Sequence, residues 1–306
     1  MAYYKSFPHL SHPHNRIAAT YTIGWHFIYN FASEDNILMI NKNIPLINFS
    51  FDDGREDNYT MAYPILKKLS IPATINITTR FISSSTPPIK LTQASPLTLP
   101  QLRELFHDPL IEIAGHGAYH RNTITDIVQG IEELFGMLDT QALYKGANGF
   151  ASPGSGLTRE EYMKIAPQLK ASNIAYVRTS LRYKSFPQTK TLLRKLSRVV
   201  PAPFIYAQAY RDTLIDEVKD GFLYSVPVLS SISPSEIFAL INTAVKKGKS
   251  LILMMHSIVP DGGVRDPWDY EIGKFAAVCQ KVAQLRSENK IETKTSMDIF
   301  NHYKNV

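Results

Sequence analysis

Apolar and polar positions along the chain change period repeatedly, and the changes mark alternating strands and helices. Leu46-Ile47-Asn48-Phe49-Ser50-Phe51 alternates in part and predicts a buried strand. After it, Met61, Ile65, Leu66 and Leu69 fall at helical spacing across Asn58 to Leu69. The β-branched run Ile71 to Ile77 predicts a strand, Leu99 to Phe106 a short helix, and Ile111 to Ala114 a further strand. Ile127, Val128, Ile131, Leu134, Phe135 and Leu138 form one apolar face, which predicts a helix over 124–138. A short strand over Asn148 to Ala151, a helix over Arg159 to Leu169 and a strand over Ile174 to Val177 follow. Farther on, Pro234 precedes a helix over Ser235 to Lys247, as helix starts favour. A strand over Ser250 to Met255 and a helix over Tyr270 to Arg286 complete the pattern. Ser83 to Pro100 and Phe186 to Tyr210, punctuated by proline, read as loops.

Strands alternating with helices are the mark of parallel βα units, which right-handed crossovers wind into one sheet or a barrel. At 306 residues the chain could hold two domains, but a single α/β barrel fits the same length. Neither loop has the composition of a flexible linker. The expectation is one main domain over 44–306 with an N-terminal extension, 1–43, whose aromatic-rich stretch from Tyr21 to Phe31 packs on it.

Composition narrows the class. With 44% hydrophobic and 20% charged residues the chain is neither disordered, collagen-like nor a coiled coil. No apolar run approaches the roughly 18 residues of a membrane-spanning helix. Cys279 is the one cysteine, which excludes an intrachain disulfide and a cysteine-based zinc cluster. Any metal must therefore rest on histidine and carboxylate. The start, MAYYKSFPHLSHPHNR, lacks the apolar core of a signal peptide, so a cytoplasmic location is expected. The net charge of +6 is mildly basic, but Lys246 to Lys249 and Arg194 to Arg198 are short runs that read as solvated faces. No nucleic-acid partner is expected, and the oligomeric state is not legible.

Polar residues cluster just beyond the strands. Asp52-Asp53-Gly54 follows the first, and His116 and His120 follow the strand at Ile111. Ser152-Pro153-Gly154, Arg178 and His256 follow three others. In parallel α/β folds the carboxyl ends of the strands share one face, where active sites gather. His116-x-x-x-His120 on a helical turn would aim both imidazoles the same way, either as metal ligands or as two partly exposed histidines. Asp52 and Asp53 repel each other unless something positive lies between them; a divalent cation would serve, and an acidic turn is the plain alternative. Two imidazoles and one carboxylate match an open catalytic zinc site with a position left for water. His256 is either a rim residue or a proton donor. Arg178 is either a surface residue or a guanidinium reaching the same rim.

Ser50-Phe51-Asp52-Asp53-Gly54 resembles the first motif of the NodB-like polysaccharide deacetylases, carbohydrate esterase family four. His116-x-x-x-His120 is similar to their second motif, Phe150-Ala151-Ser152-Pro153-Gly154-Ser155 to a degenerate third, and Leu253-Met254-Met255-His256 to the last. The resemblance spans about 44–300 and implies a distorted, incomplete (β/α) barrel of about seven strands. It implies that Asp53, His116 and His120 bind Zn2+ or another divalent transition metal, with Asp52 as general base and His256 as general acid. Gly154, next to Pro153, would offer its backbone N–H to an oxyanion. The third motif usually begins Phe-Arg, and this chain has Ala151; Arg178, within Tyr176-Val177-Arg178-Thr179, is expected to replace the missing arginine and orient Asp52.

Taken together, these features predict a metal-dependent hydrolase that removes N- or O-linked acetyl groups from a carbohydrate or related substrate. The alternatives are a carbohydrate-binding protein on a decayed deacetylase scaffold, and a hydrolase of another small amide.

Overall fold

The computed structural model describes residues 44–83, 95–180, 188–199 and 202–304. The proposed extension over 1–43 and its packing lie outside the described residues, as do 84–94 of the first loop.

The sheet begins with β1 (Leu46–Phe51), followed by a π-helical turn (Asn58–Ala62) and α1 (Tyr63–Lys68). β2 (Ala73–Ile77), α2 (Thr79–Ser83) and α3 (Leu99–His107) lead to β3 (Ile111–Gly115) and the long α4 (Ile124–Leu138). β4 (Asn148–Ala151), α5 (Arg159–Ala171) and β5 (Ile174–Ser180) come next. Two helices, α6 (Gln188–Val199) and α7 (Pro203–Tyr210), precede β6 (Phe222–Pro227), α8 (Pro234–Lys247) and β7 (Leu251–Met255). A small parallel pair, β8 (Ser257–Val259) and β9 (Asp269–Glu271), leads into α9 (Ile272–Ser287). β10 (Glu292–Thr293) and α10 (Ser296–Tyr303) end the described fold.

β1 to β7 pair in chain order, all parallel, and β7 returns to β1 over Ile47↔Leu251 to Phe51↔Met255. The α/β fold is thus a closed, seven-stranded parallel barrel, the expected architecture. Its distortion is concentrated at the β3–β4 seam, which holds a single register pair, Gly115↔Phe150, and at the register shift between Asn148 and Gly149. β10 lies outside the ring as an extra strand beside β1.

Alternation explains how so short a strand set builds a site. On β1 the odd positions Ile47, Phe49 and Phe51 face the helices, where Phe49 and Phe51 meet Phe275 of α9 edge-on. The even positions Asn48, Ser50 and Asp52 are buried polar groups. Thr74 and Asn76 on β2, Glu112 on β3 and Tyr176 and Arg178 on β5 join them through hydrogen bonds. The inward face is therefore cross-linked by polar groups, with a smaller apolar cluster around Leu46, Leu223 and Ile252 on the same face, and the main apolar core lies between barrel and helices. Gly149 is required here: a Cβ on it would lie 2.4 Å from the Tyr176 ring.

Three expectations need correction. Phe186 to Tyr210 is not a loop, because α6 and α7 occupy most of it. His116 and His120 are not on a helical turn; they sit on the loop between β3 and α4, and His120 adopts a left-handed φ of 58°. Arg178 does not follow its strand but lies inside β5, fully buried. β6, α10 and the β8–β9 pair carried no signal that the pattern of apolar residues had separated from loop.

Candidate active site

The register of the barrel assembles the site before any side chain is considered. Phe51 pairs with Met255, and the Asp52 N–H donates to the Met255 carbonyl at 2.9 Å, so Asp52 stands level with His256. Ile77 pairs with Gly115, Gly115 with Phe150, and Ala151 with Arg178. Asp52, His116 and His256 are each one step beyond the carboxyl end of their strands, Asp53, His120, Pro153 and Gly154 follow in the loops beyond strand ends, and Arg178 lies two residues inside the end of β5.

Asp53 follows β1 in a left-handed backbone, φ 80°, with Gly54 at 82° behind it. That conformation is unusual for a residue with a side chain and turns Asp53 away from the direction a continuing strand would give it. Its Oδ1 lies 3.4 Å from His116 Nε2 and 3.5 Å from His120 Nε2. The three ligand atoms lie within 4.8 Å of one another, and they form the one such group among the described residues. The His116 ring sits edge-on to that of His120, centroids 4.8 Å apart. His116 Nδ1 is 2.8 Å from the Ala151 carbonyl, which can only accept, so Nδ1 carries a hydrogen; Nε2, on the Asp53 side, donates to Asp53 when the ring is protonated and offers a lone pair to a metal when it is neutral. The loop that bears both histidines is tied by Asp126, whose carboxylate accepts from the Tyr119 and Arg121 amides. Gly117, φ 82°, passes close to that carboxylate; a Cβ there would come within 2.4 Å of it.

A divalent metal fits these groups: the donor atoms converge, the tautomer is fixed and one carboxylate balances charge. Burial alone would raise the Asp53 pKa, but its hydrogen bond with His116 and the nearby His256, His116 and Arg55 charges hold it far below the usual carboxylate range. His120 is lowered to about 4, by burial first and then by His116. His116 moves the other way: burial lowers its pKa, but Asp52 and Asp53 more than offset that and raise it. Asp53 and His120 are thus shifted toward the form a metal would need, and His116 toward its protonated form.

The paired acids are not balanced by a metal alone, as the sequence had suggested. Each has its own guanidinium. Asp52 Oδ1 accepts from Arg178 Nη2 and, at 2.8 Å, from Asn76 Nδ2. Asp53 Oδ2 accepts from Arg55 Nε at 3.0 Å and Nη2 at 2.8 Å. Arg55 and Asn76 were missed in the sequence. The signal for Arg55 was present in Asp52-Asp53-Gly54-Arg55, a cation two residues beyond an acid at a strand end; Asn76 gave none.

His256 lies between β7 and β8. Its ring packs on Trp268, centroids 4.4 Å apart, and its Nδ1 is buried without a hydrogen-bond partner. Burial lowers its pKa, with Asp53 and Asp52 opposing. Pro153 is buried, and Gly154 beside it is exposed in a left-handed conformation, φ 56°, with open space where a Cβ would stand.

Comparison with known proteins matches residues 40–162 to the polysaccharide deacetylase family model. Over that stretch, less than half of its length, the chain is similar to the polysaccharide deacetylase family. The matched segment holds Asp52, Asp53, His116, His120, Pro153 and Gly154, and ends before Arg178 and His256. Among solved structures, IcaB from Ammonifex degensii matches at 21% identity over 42% of this chain and 57% of that one, with a TM-score of 0.34. The chain therefore spans little more than half of that structure. A protein described as a polysaccharide deacetylase from Mycobacterium smegmatis matches at 13% identity, over 85% of this chain and 90% of that one, TM-score 0.46. A BA3943 mutant, described as a CE4 family pseudoenzyme with restored activity, matches at 16% identity over 71% and 70%, TM-score 0.36. None of the curated proteins compared matches the chain. Among the described residues no helix is long and apolar enough to cross a membrane.

Proposed function

We propose that this chain is a metal-dependent hydrolase that releases acetate from an N- or O-acetylated carbohydrate. The observation that carries the proposal is the convergence of Asp53, His116 and His120 within 4.8 Å, with Asp52 and His256 level on adjacent strands. Zn2+, or another divalent transition metal, held by that triad would polarise the acyl carbonyl and acidify a water.

The chain's own groups supply the rest. Asp52 accepts a proton from the attacking water. It is held for that role by Asn76 and by Arg178, a positioning residue whose contact replaces what an arginine at position 151 gives in related motifs. Ala151 and Arg178 are register partners, so the small side chain at 151 leaves room for the large one beside it. The Gly154 N–H would support the oxyanion. His256 donates a proton to the departing nitrogen or oxygen, its ring fixed against Trp268.

A carbohydrate-binding protein on the same scaffold is the second reading, and one observation favours it. His256 Nδ1 has no partner to hold the ring's charge, and burial depletes its acid form at neutral pH. Acetate release from N- and O-acetylated saccharides, with metal and after chelation, separates the two. Metal-dependent release supports the hydrolase; metal binding with no release supports the binder.

A further inference from the structure

We propose that Arg55 is a positioning residue that confines Asp53 to a single ligating oxygen and so keeps a coordination position open for water and substrate. The inference rests on the metal-hydrolase reading above and assigns a role to a residue outside its ligands, base and acid.

The geometry divides the Asp53 carboxylate in two. Oδ1 faces the imidazoles, 3.4 Å from His116 Nε2 and 3.5 Å from His120 Nε2. Oδ2 takes both the Nε and Nη2 hydrogens of Arg55. The third donor, Nη1, reaches Ser257 Oγ at 2.7 Å, and Ser257 directly follows His256. Arg55 is 7% exposed, so the contact is shielded from water and from salt. A carboxylate can bind a metal through one oxygen or both. Two charge-assisted hydrogen bonds on Oδ2 compete directly with the second mode.

Charge points the same way. Asp52 and Asp53 are each matched by a buried guanidinium, so the four groups cancel before any metal arrives. Arg55 withdraws donor strength from Asp53 and adds a positive charge beside the site. Both effects weaken metal binding while leaving the ion more electrophilic. Lysine in place of Arg55 would keep the charge but lose the fork. The Ser257 link also fixes Arg55 to the segment that carries His256, so ligand and proton donor share one brace.

The test uses Co2+ as the probe on the full chain, with its visible absorption reporting coordination number and chelator competition reporting affinity. Arg55→Gln should bind Co2+ as tightly as the parent or up to about tenfold more tightly, since a positive charge is gone. Its visible absorptivity should fall as Asp53 closes on the ion through both oxygens. Acetate release should drop by more than tenfold. Arg55→Lys should stay nearer to the parent spectrum, because an ammonium still occupies Oδ2. Ser257→Ala, which keeps the guanidinium and only removes its anchor, should shift the spectrum in the same direction by less, and serves where Arg55→Gln does not fold. A parent-like spectrum in both Arg55→Gln and Ser257→Ala would overturn the inference and leave the metal site standing. So would weaker Co2+ binding in Arg55→Gln with unchanged coordination, the outcome of a merely structural role. A parent chain that binds no Co2+ would overturn the metal-hydrolase reading and this inference with it.

Discussion

Asp52 and Asp53 are neighbours in sequence with different surroundings, and the roles proposed for them rest on that difference. Asp52 bonds to Asn76 and Arg178; Asp53 Oδ1 faces two imidazoles. Asp52→Asn should therefore keep stoichiometric metal and lower the acetate-release rate by roughly 10²–10⁴-fold. Asp53→Asn, which tolerates the same left-handed backbone, should lose metal affinity instead. Metal analysis after dialysis checks both, and equal metal loss in the two variants would contradict the assignment. His120→Ala should likewise come out of dialysis without tight metal. Arg178→Lys should retain metal and lose most activity. Because Arg178 is wholly buried, that variant should also lose about 1–3 kcal/mol of stability by leaving Asp52 and Ser225 with poorer partners. At this scale the sequence showed which acids and histidines would meet, because each sits beside a strand end. It did not show the guanidiniums. Adjacent acids require positive charge, but only tertiary contacts decide whether a metal or an arginine provides it.

Elements explain where side chains went. The β4–β5 register places position 151 beside position 178, so one guanidinium can be supplied from either strand. The double variant Ala151→Arg/Arg178→Ala should recover at least tenfold of the activity lost in Arg178→Ala, whereas no recovery would mean that the two strands are not interchangeable. Beneath the active rim, Glu112 on β3 accepts from the Tyr176 hydroxyl at 2.6 Å, the Thr74 hydroxyl at 2.9 Å and the Met297 amide of α10 at 2.9 Å. Burial pushes its pKa up to about 7 from an ordinary 4.5. The folded chain then holds the extra proton between those values, so Glu112 makes stability fall as pH rises through that window. Glu112→Gln should raise Tm by a few degrees at pH 8 and by little at pH 5. A Tm lowered equally at both pH values would show that the carboxylate is needed for its bonds alone. Helices with clean apolar stripes, such as α4, were legible to the residue. α6 and α7 were not, because Pro187, Pro201 and Pro203 punctuate that stretch as they would a loop. α7 keeps its proline at the first helical position, where no N–H bond is lost.

Across the whole molecule the barrel sorts residues by the parity of strand positions. Apolar side chains fill the space between strands and helices and form a smaller cluster around Leu46, Leu223 and Ile252 on the inward face, and polar ones line that face toward the rim. That is why β1 alternated only in part by eye: both of its faces are buried, one in hydrocarbon and one in a hydrogen-bonded network. The βα rhythm made a parallel sheet or barrel legible as a class, and the choice of a barrel came from the family resemblance. The closure through β1 and β7 is set by a register of long-range partners and lies beyond any local pattern. The central claim is that the rim is a metal-dependent acetyl hydrolase with Asp52 as its base. The most direct measurement is acetate release from a panel of N- and O-acetylated saccharides by the Zn2+-loaded chain, its chelated form and the Zn2+-loaded Asp52→Asn variant. Release by the loaded parent at least a hundredfold above the other two is the expected result. Full metal occupancy with no release above the Asp52→Asn background on any member of the panel would contradict it.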